Sequence, residues 1–385
     1  MKTISNHGYA FQKTRWLVLA RLIDFCVSAL TVFKKHRIIP SAPRKILVSQ
    51  IAHLGDVVIA LSLLEPLRKQ YPYAEIYFLC GSWAEPLLHG NPHIKGVITY
   101  DAFFLQRSGG IFHRIFTAVK SFIRARACLR AEKFDMALDC RVYFPNSLPL
   151  LYMGGCSCIC GYRTACFGPL LDHDAAWEEN VHEAQRLLNL LPGPKREPGV
   201  PDLAYLTMHD EKFLATVSLE GKIYAVTQVG AGLPVKNMPV EKWAAIVNYL
   251  LSLGIYVVFT GTAKERKTAD AIIATISKDK YPQIKNLCGN TQFTELAALI
   301  NKAALTIAPD SFACHLSAAL GRRTVVLFSG IVDERHWHPL GPNVRVVKAD
   351  CACSPCYSKT GCKTMACISG MTEQCIISAI REIWA

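Results

Sequence analysis

Beyond residue 44 the chain alternates short, continuously apolar runs with longer segments whose apolar residues recur at helical spacing. In the first half, 45–50 (KILVSQ), 76–81 (IYFLCG), 96–100 and 134–140 (FDMALDC) read as strands, and 57–70 and 112–133 as helices. The second half repeats the plan, with strands at 223–228, 255–260 (IYVVFT), 284–288, 305–308 and 324–328. Helices at 240–253, after 264 and at 293–303 separate them. Strands that are apolar along their whole length, with a helix between each pair, predict parallel sheets covered on both faces. The fold class expected is therefore α/β, with two Rossmann-like parallel-sheet lobes facing a central cleft and ligands at the carboxyl ends of the strands. A Pro- and Gly-rich stretch, 191–201 (LPGPKREPGVP), announces the boundary. The organisation predicted is a basic, amphipathic extension over 1–44, a first lobe over 45–215, and a second over 216–385 that ends in a Cys-rich segment.

Composition changes this picture at the N-terminus. Of the net charge of +13 on 385 residues, a large share sits in the first 45, where Lys2, Lys13, Arg15, Arg21, Lys34, Lys35, Arg37, Arg44 and Lys45 face the single acid Asp24. Such a surface attracts polyanions, but basic motifs interleaved with aromatics are missing, so nucleic acid is not an expected partner. From 16 to 33 the chain is almost wholly apolar, and Arg21, Asp24, Ser28 and Thr31 fall on one narrow helical stripe. The stretch is short for a membrane span, and it lacks the cleavage site of a signal peptide. Peripheral membrane contact through residues 16–37 is expected, with Lys34, Lys35 and Arg37 on lipid headgroups; a helix packed on the protein itself is the competing reading. Sixteen cysteines in a chain of this size, without a secretory signal, read as reduced cytoplasmic thiols.

Three loops carry candidate chemistry. The first, 51–56 (IAHLGD), follows the first strand; Gly55 permits a tight turn, and Asp56 suits either a general base or a helix N-cap. The second, 227–236 (TQVGAGLPVK), starts like a dinucleotide fingerprint, but Val235 occupies the third glycine position and no acid ends the next strand. What remains is a small-residue loop that lets backbone approach phosphate, with Lys236 either a phosphate cation or a solvated lysine. The third, 309–315 (PDSFACH), leads into a helix that Asp310 and Ser311 are able to cap, its dipole favouring pyrophosphate. His315 there is either a donor or a satisfied core histidine. Three further patterns carry less. In 261–268 (GTAKERKT), Arg266 replaces the second glycine of a P-loop. The Asp172-His173-Asp174 triplet imitates an Asp-x-Asp metal site, and Cys351, Cys353, Cys356, Cys362 and Cys367 lack two Cys-x2-Cys pairs. No metal is expected.

Together, 45–79 (KILVSQIAHLGDVVIALSLLEPLRKQYPYAEIYFL), 227–243 (TQVGAGLPVKNMPVEKW) and 288–321 (CGNTQFTELAALINKAALTIAPDSFACHLSAALG) resemble glycosyltransferase family 9, the ADP-heptose:lipopolysaccharide heptosyltransferases. The resemblance implies a GT-B fold and an inverting, metal-independent transfer from a nucleotide-sugar donor such as ADP-heptose to an anionic glycolipid. No cofactor is implied beyond that cosubstrate. It implies Asp56 as catalytic base, and Thr227, Gln228, Lys236, Glu265, Asp310, Ser311 and His315 at the donor. Phe312 stands where the family usually has glycine, which bears on the sugar pocket. An anionic acceptor gives the basic helix, with Arg114, Lys120 and Arg124, a purpose; a solvated face is its alternative. The location expected is the cytoplasmic face of the inner membrane. A nucleotide-sugar epimerase of similar architecture and a catalytically silent membrane-surface protein are the rival readings.

Overall fold

In the computed structural model, which describes Tyr9, residues 14–207 and residues 210–384, the chain divides into two compact units, one within residues 2–199 and one within 200–385. Lys2 and Lys13 of the basic extension lie outside the described residues. The first unit is built on β1 (Lys45–Ser49), β2 (Glu75–Cys80), β3 (Gly96–Thr99), β4 (Met136–Asp139), β5 (Cys158–Gly161) and β6 (His173–Asp174), in the order β3-β2-β1-β4-β5-β6. The second is built on β7 (Tyr224–Gln228), β8 (Tyr256–Thr260), β9 (Ile284–Asn286), β10 (Leu305–Pro309), β11 (Thr324–Phe328) and β12 (Val344–Lys348), in the order β12-β11-β10-β7-β8-β9. Each sheet is parallel throughout. These are the two Rossmann-like sheets that the alternation predicts. In each, the strand order reverses beside the first strand, between β1 and β4 and between β7 and β10, which is where such sheets bind ligands.

The central strands explain the apolar runs. Ile46 pairs with Ile76 on one side and Met136 on the other, and all three are fully buried. Helices α1 (Thr14–Leu30), α2 (Leu54–Leu61), α3 (Leu64–Gln70), α4 (Ile111–Glu132), α5 (Leu148–Met153) and α6 (Glu183–Leu188) belong to the first unit. Where the pattern predicts one helix over 57–70 there are two. Pro66 has no N–H to donate to the carbonyl four residues back, and the Ser62 hydroxyl instead donates to the Ile59 carbonyl at 2.6 Å, closing α2. The second unit contributes α7 (Val240–Ser252), α8 (Arg266–Ala274), α9 (Phe293–Lys302), α10 (Phe312–Ala319) and α11 (Glu373–Trp384). Its main core joins Trp243 and Ile246 of α7 and Ile376 and Ile380 of α11 to Val257, Ile307 and Val325 of the sheet.

Helix α1 buries a carboxylate and leaves most of its large apolar side chains exposed. Ala20 and Asp24 are buried against the first unit, and Val27 packs on the core that also holds Ala125 and Leu129 of α4. Asp24 accepts hydrogen bonds from the Phe167 amide and, at 2.7 Å, from the Tyr9 hydroxyl. Trp16, Val18, Leu19, Leu22 and Phe25 are left exposed. Lys34 and Arg37, expected on lipid headgroups, are instead bound to the protein. Lys34 Nζ lies 3.0 Å from Asp172 and donates to the Leu170 carbonyl at 2.6 Å, while the Arg37 amide donates to Asp172 and its guanidinium to the Ser157 carbonyl. The nearly buried Asp172 carboxylate requires such donors, which covers Lys34, while Arg37 stays exposed. Lys35 remains exposed. Among the described residues, no helix is long and apolar enough to cross a membrane.

Candidate active site

In the first unit, the turn expected at Gly55 occurs earlier, and Gly55 is already helical. His53 is the N-cap of α2 and Asp56 is its third residue. The two form a capping box in which the His53 side chain receives the Asp56 amide and Asp56 Oδ2 accepts the His53 amide at 3.2 Å. Asp56 Oδ1 lies 3.6 Å from Arg141 Nη1, which enters from the loop after β4 on the far side of the switch point. Both side chains are largely covered but reach the surface, Asp56 at 18% and Arg141 at 14%. The sequence left Asp56 between a cap and a base. The N-cap position belongs to His53, so Asp56 supports the helix from the third position of the capping box, and its partly exposed carboxylate remains reachable from solvent.

The loops around Asp56 are tied together. Gln50 donates to the Cys140 carbonyl at 3.2 Å and accepts from the Ala52 amide, and the Trp83 indole donates to the Ala52 carbonyl at 2.9 Å. Beneath them Asp139, at the end of β4, is fully buried and accepts from the Ser147 hydroxyl at 2.8 Å. Burial pushes its carboxyl up to about 7, against the opposing pull of Ser147 and the Arg141 amide. Glu183 is likewise driven up to about 7 by burial, with Arg186 holding it at 2.5 Å. Arg141 was missed in the sequence. The signal available was its position directly past β4, the strand that borders β1 at the reversal.

In the second unit the corresponding ends of β7 and β10 carry a different set. Lys236, after β7, is ion-paired with Asp310 after β10, and His315 Nε2 lies 3.9 Å from the other Asp310 oxygen. Lys236, Asp310 and His315 therefore come together. Ser311 is the N-cap residue of α10, yet its hydroxyl does not cap the helix. Gln228 donates to the Gly230 carbonyl at 3.0 Å, and Asn237 accepts the Ala231 amide at 2.9 Å, shaping the intervening loop. Thr227, by contrast, is fully buried within β7, with its hydroxyl unpartnered.

Glu265 joins the loops after β7 and β8. Its carboxylate accepts from the Thr262 amide and, at 2.6 Å, from the Thr262 hydroxyl. A Cβ on Gly230 would stand 2.3 Å from Glu265 Cγ, and one on Gly261, which has φ +145°, would stand 2.8 Å from its Oε2. Only glycine leaves room for this side chain to lie across the loops. Phe312, the first residue of α10, has its ring 5.0 Å from that of Phe293 at the start of α9.

The basic helix is less directly connected. Arg114 donates to the Phe103 carbonyl at 2.7 Å with its guanidinium over that ring, Arg124 donates to Thr99, and Lys120 is exposed. The bonds of Arg114 and Arg124 hold the β3–α4 connection rather than the Asp56 loop. Asp172 serves Lys34, Arg37 and the Ile159 amide, and Asp174 pairs with Arg163 at 3.3 Å. The sixteen cysteines are free thiols.

The chain and its fold have counterparts among known proteins. Residues 123–366 match the model of glycosyltransferase family 9 (heptosyltransferase). Lipopolysaccharide heptosyltransferase 2 of Salmonella typhimurium is 25% identical over 319 residues, covering 79% of this chain and 88% of that one. The solved structure of ADP-heptose lps heptosyltransferase II of E. coli superposes with a TM-score of 0.71 at 22% identity, over 88% of this chain and 98% of that one. A glycosyl transferase family 9 structure from Veillonella parvula gives a TM-score of 0.72 at 19% identity, over 89% and 97%. The epimerase and the silent-scaffold readings give way to an enzyme that transfers sugar: this chain belongs to glycosyltransferase family 9, the heptosyltransferases.

Proposed function

We propose that the enzyme transfers a heptose from ADP-heptose to a lipopolysaccharide-core-type glycolipid, with inversion at the anomeric carbon and without a metal ion. The observation that carries this reading is the pair of dissimilar sites at equivalent sheet reversals in a family-9 chain. One presents a carboxylate, Asp56, and the other a lysine, Lys236, beside a helix N-terminus. An acceptor hydroxyl oxygen forms the new bond to the anomeric carbon and gives its proton to Asp56. The bond from that carbon to the diphosphate oxygen breaks, and the diphosphate leaves with the electron pair. Lys236, oriented by Asp310, and the amides opening α10 offset the charge that develops on it. Gln228, Glu265 and Ser311 shape the donor side, with His315 positioned through Asp310 and Thr227 acting from within β7. Arg114, Lys120 and Arg124 are proposed to draw in the anionic acceptor from solution at long range.

The exposed face of α1, with Trp16, Val18, Leu19, Leu22 and Phe25, supports peripheral contact with the cytoplasmic side of the inner membrane. The test is a thermal-shift screen of ADP, UDP, GDP and their sugars, followed by transfer assays with and without a chelator and determination of the product's anomeric configuration. Preferential stabilisation by ADP and ADP-heptose, chelator-insensitive turnover and an inverted product are expected. A UDP preference, chelator-sensitive turnover or a retained configuration would each overturn the corresponding part.

A further inference from the structure

Helix α4 was read from sequence as a basic helix, yet its outer surface over the first three turns is apolar. Ile111, Phe112, Ile115, Phe116, Val119 and Ile123 are all exposed, Phe112 at 84%. Their spacing puts them on one side of a helix whose other side, with Ser121, Ala125 and Leu129, is buried. The stripe extends over about 18 Å at the α-helical rise. A soluble surface rarely presents so many large apolar side chains together.

Chain direction places this stripe. Helix α4 follows β3 and precedes β4, so it runs antiparallel to the strands, and its apolar first half lies at their carboxyl end. The 3₁₀ turn Phe103–Leu105 packs on the same end of α4, held by Arg114, and carries Phe104, which is 63% exposed. The Phe104 ring lies 5.6 Å from that of Phe144, in the loop after β4. That loop also supplies Arg141, which reaches Asp56. A continuous set of residues thus leads from the apolar stripe to the carboxylate.

Charge selects the occupant. The acids of α1 and α4 are Asp24, buried, and Glu132, paired with Lys45 at 2.6 Å. Lys120, Arg124 and Arg130 are exposed along α4, and Arg15 and Arg21 along α1. A second copy of the chain would bring like charges together, whereas anionic headgroups would complement them. We infer that the first three turns of α4, together with Phe104 and Phe144, form a lipid-inserting wedge that seats the first unit on an anionic bilayer at the Asp56 end of its sheet. This wedge is inferred independently of the transfer reading; delivery of a membrane-borne acceptor rests on that reading.

The experiment uses the full chain and its F112D/F116D variant, both side chains being exposed. Sedimentation is measured with vesicles of phosphatidylglycerol and phosphatidylethanolamine, and with vesicles of phosphatidylcholine alone. The wild type is expected to bind the anionic vesicles preferentially. The variant is expected to lose at least about tenfold in partitioning, since two aromatic side chains no longer enter the lipid, while its melting temperature and its turnover of a water-soluble, delipidated acceptor stay unchanged. An F25D variant on α1 provides the comparison for the other helix. Vesicle binding by F112D/F116D equal to wild type would overturn the inference, as would a wild-type dimer that this change converts to monomer without altering vesicle binding. Loss of soluble-acceptor turnover in the wild type itself would instead remove the transfer reading and leave the vesicle result standing.

Discussion

The two sheet reversals have the same topology and opposite chemistry. At β1/β4 an acid on the first turn of a helix lies beside an arginine from the neighbouring loop, both still partly exposed. At β7/β10 a lysine and an aspartate are paired across the reversal, and the loop between is kept thin by Gly230 beneath Glu265. Equal strand order does not make equal sites. What differs is the residue type placed past the first and fourth strands, which under the proposed reaction lets one unit take a proton and the other hold negative charge.

The sharpest test of that division is Asp56→Asn. Turnover should fall by about 10²–10⁴, the range for losing a general base, while affinity for ADP measured calorimetrically stays within about twofold of wild type. Retained turnover with a lowered melting temperature would leave Asp56 as a cap and the comparison would fail. Lys236→Ala should act in the opposite way, weakening ADP binding by about 10- to 100-fold through loss of a charged hydrogen bond. Unchanged ADP affinity would remove the second site from the donor.

A subtler difference is pH sensitivity in the first unit. Asp139 and Glu183 both have carboxyl groups raised to about 7 by burial, so the folded state holds protons that the unfolded chain has released. Their contribution is present in full below the usual carboxylate range and declines as pH rises toward 7. Urea denaturation should show the first unit losing on the order of 2 kcal/mol for each of these groups between pH 5 and pH 8, and Asp139→Asn should remove about half of the slope. A slope unchanged in the variant would exclude Asp139 as its source. Gly230→Ala should cost about 1–2 kcal/mol by overpacking against Glu265, and the added change Glu265→Ala should recover most of it. Additive losses in the double variant would mean that the contact is not the cause.

The β1, β7, β8, β10 and β11 strands were legible because burial on both faces writes itself as an unbroken apolar run. β5 and β6 were not read. The first is four residues, CICG, whose cysteines gave no β-branched signal, and the second is a two-residue edge pairing of His173 and Asp174 with exposed side chains. β12 was passed over because Arg345 interrupts its apolar sequence. Among candidate site residues, Asp56, Lys236 and Asp310 were legible as polar residues in the loops that follow apolar strands. Arg141 also stands in the loop after a strand, β4, but its pairing with Asp56 depends on β4 lying next to β1, which linear order conceals. The Glu265 bridge likewise depends on β7 lying beside β8. The reversal in α1, which buries Asp24 and exposes Leu22 and Phe25, was not in the spacing of Arg21, Asp24, Ser28 and Thr31, since Arg21 and Ser28 of that stripe stay exposed; it depends on the Phe167 amide that Asp24 meets in three dimensions.

That reversal inverts the ordinary map of mutational tolerance along α1. Replacing outward Leu22 or Phe25 with serine should leave the melting transition nearly where it is, whereas exchanging Asp24 for the hydrophobic residue that a buried helix position normally welcomes strands the Phe167 amide and loosens the whole segment. Over generations such a helix would drift freely toward polarity on its greasy side unless something outside the folded chain keeps selecting against it.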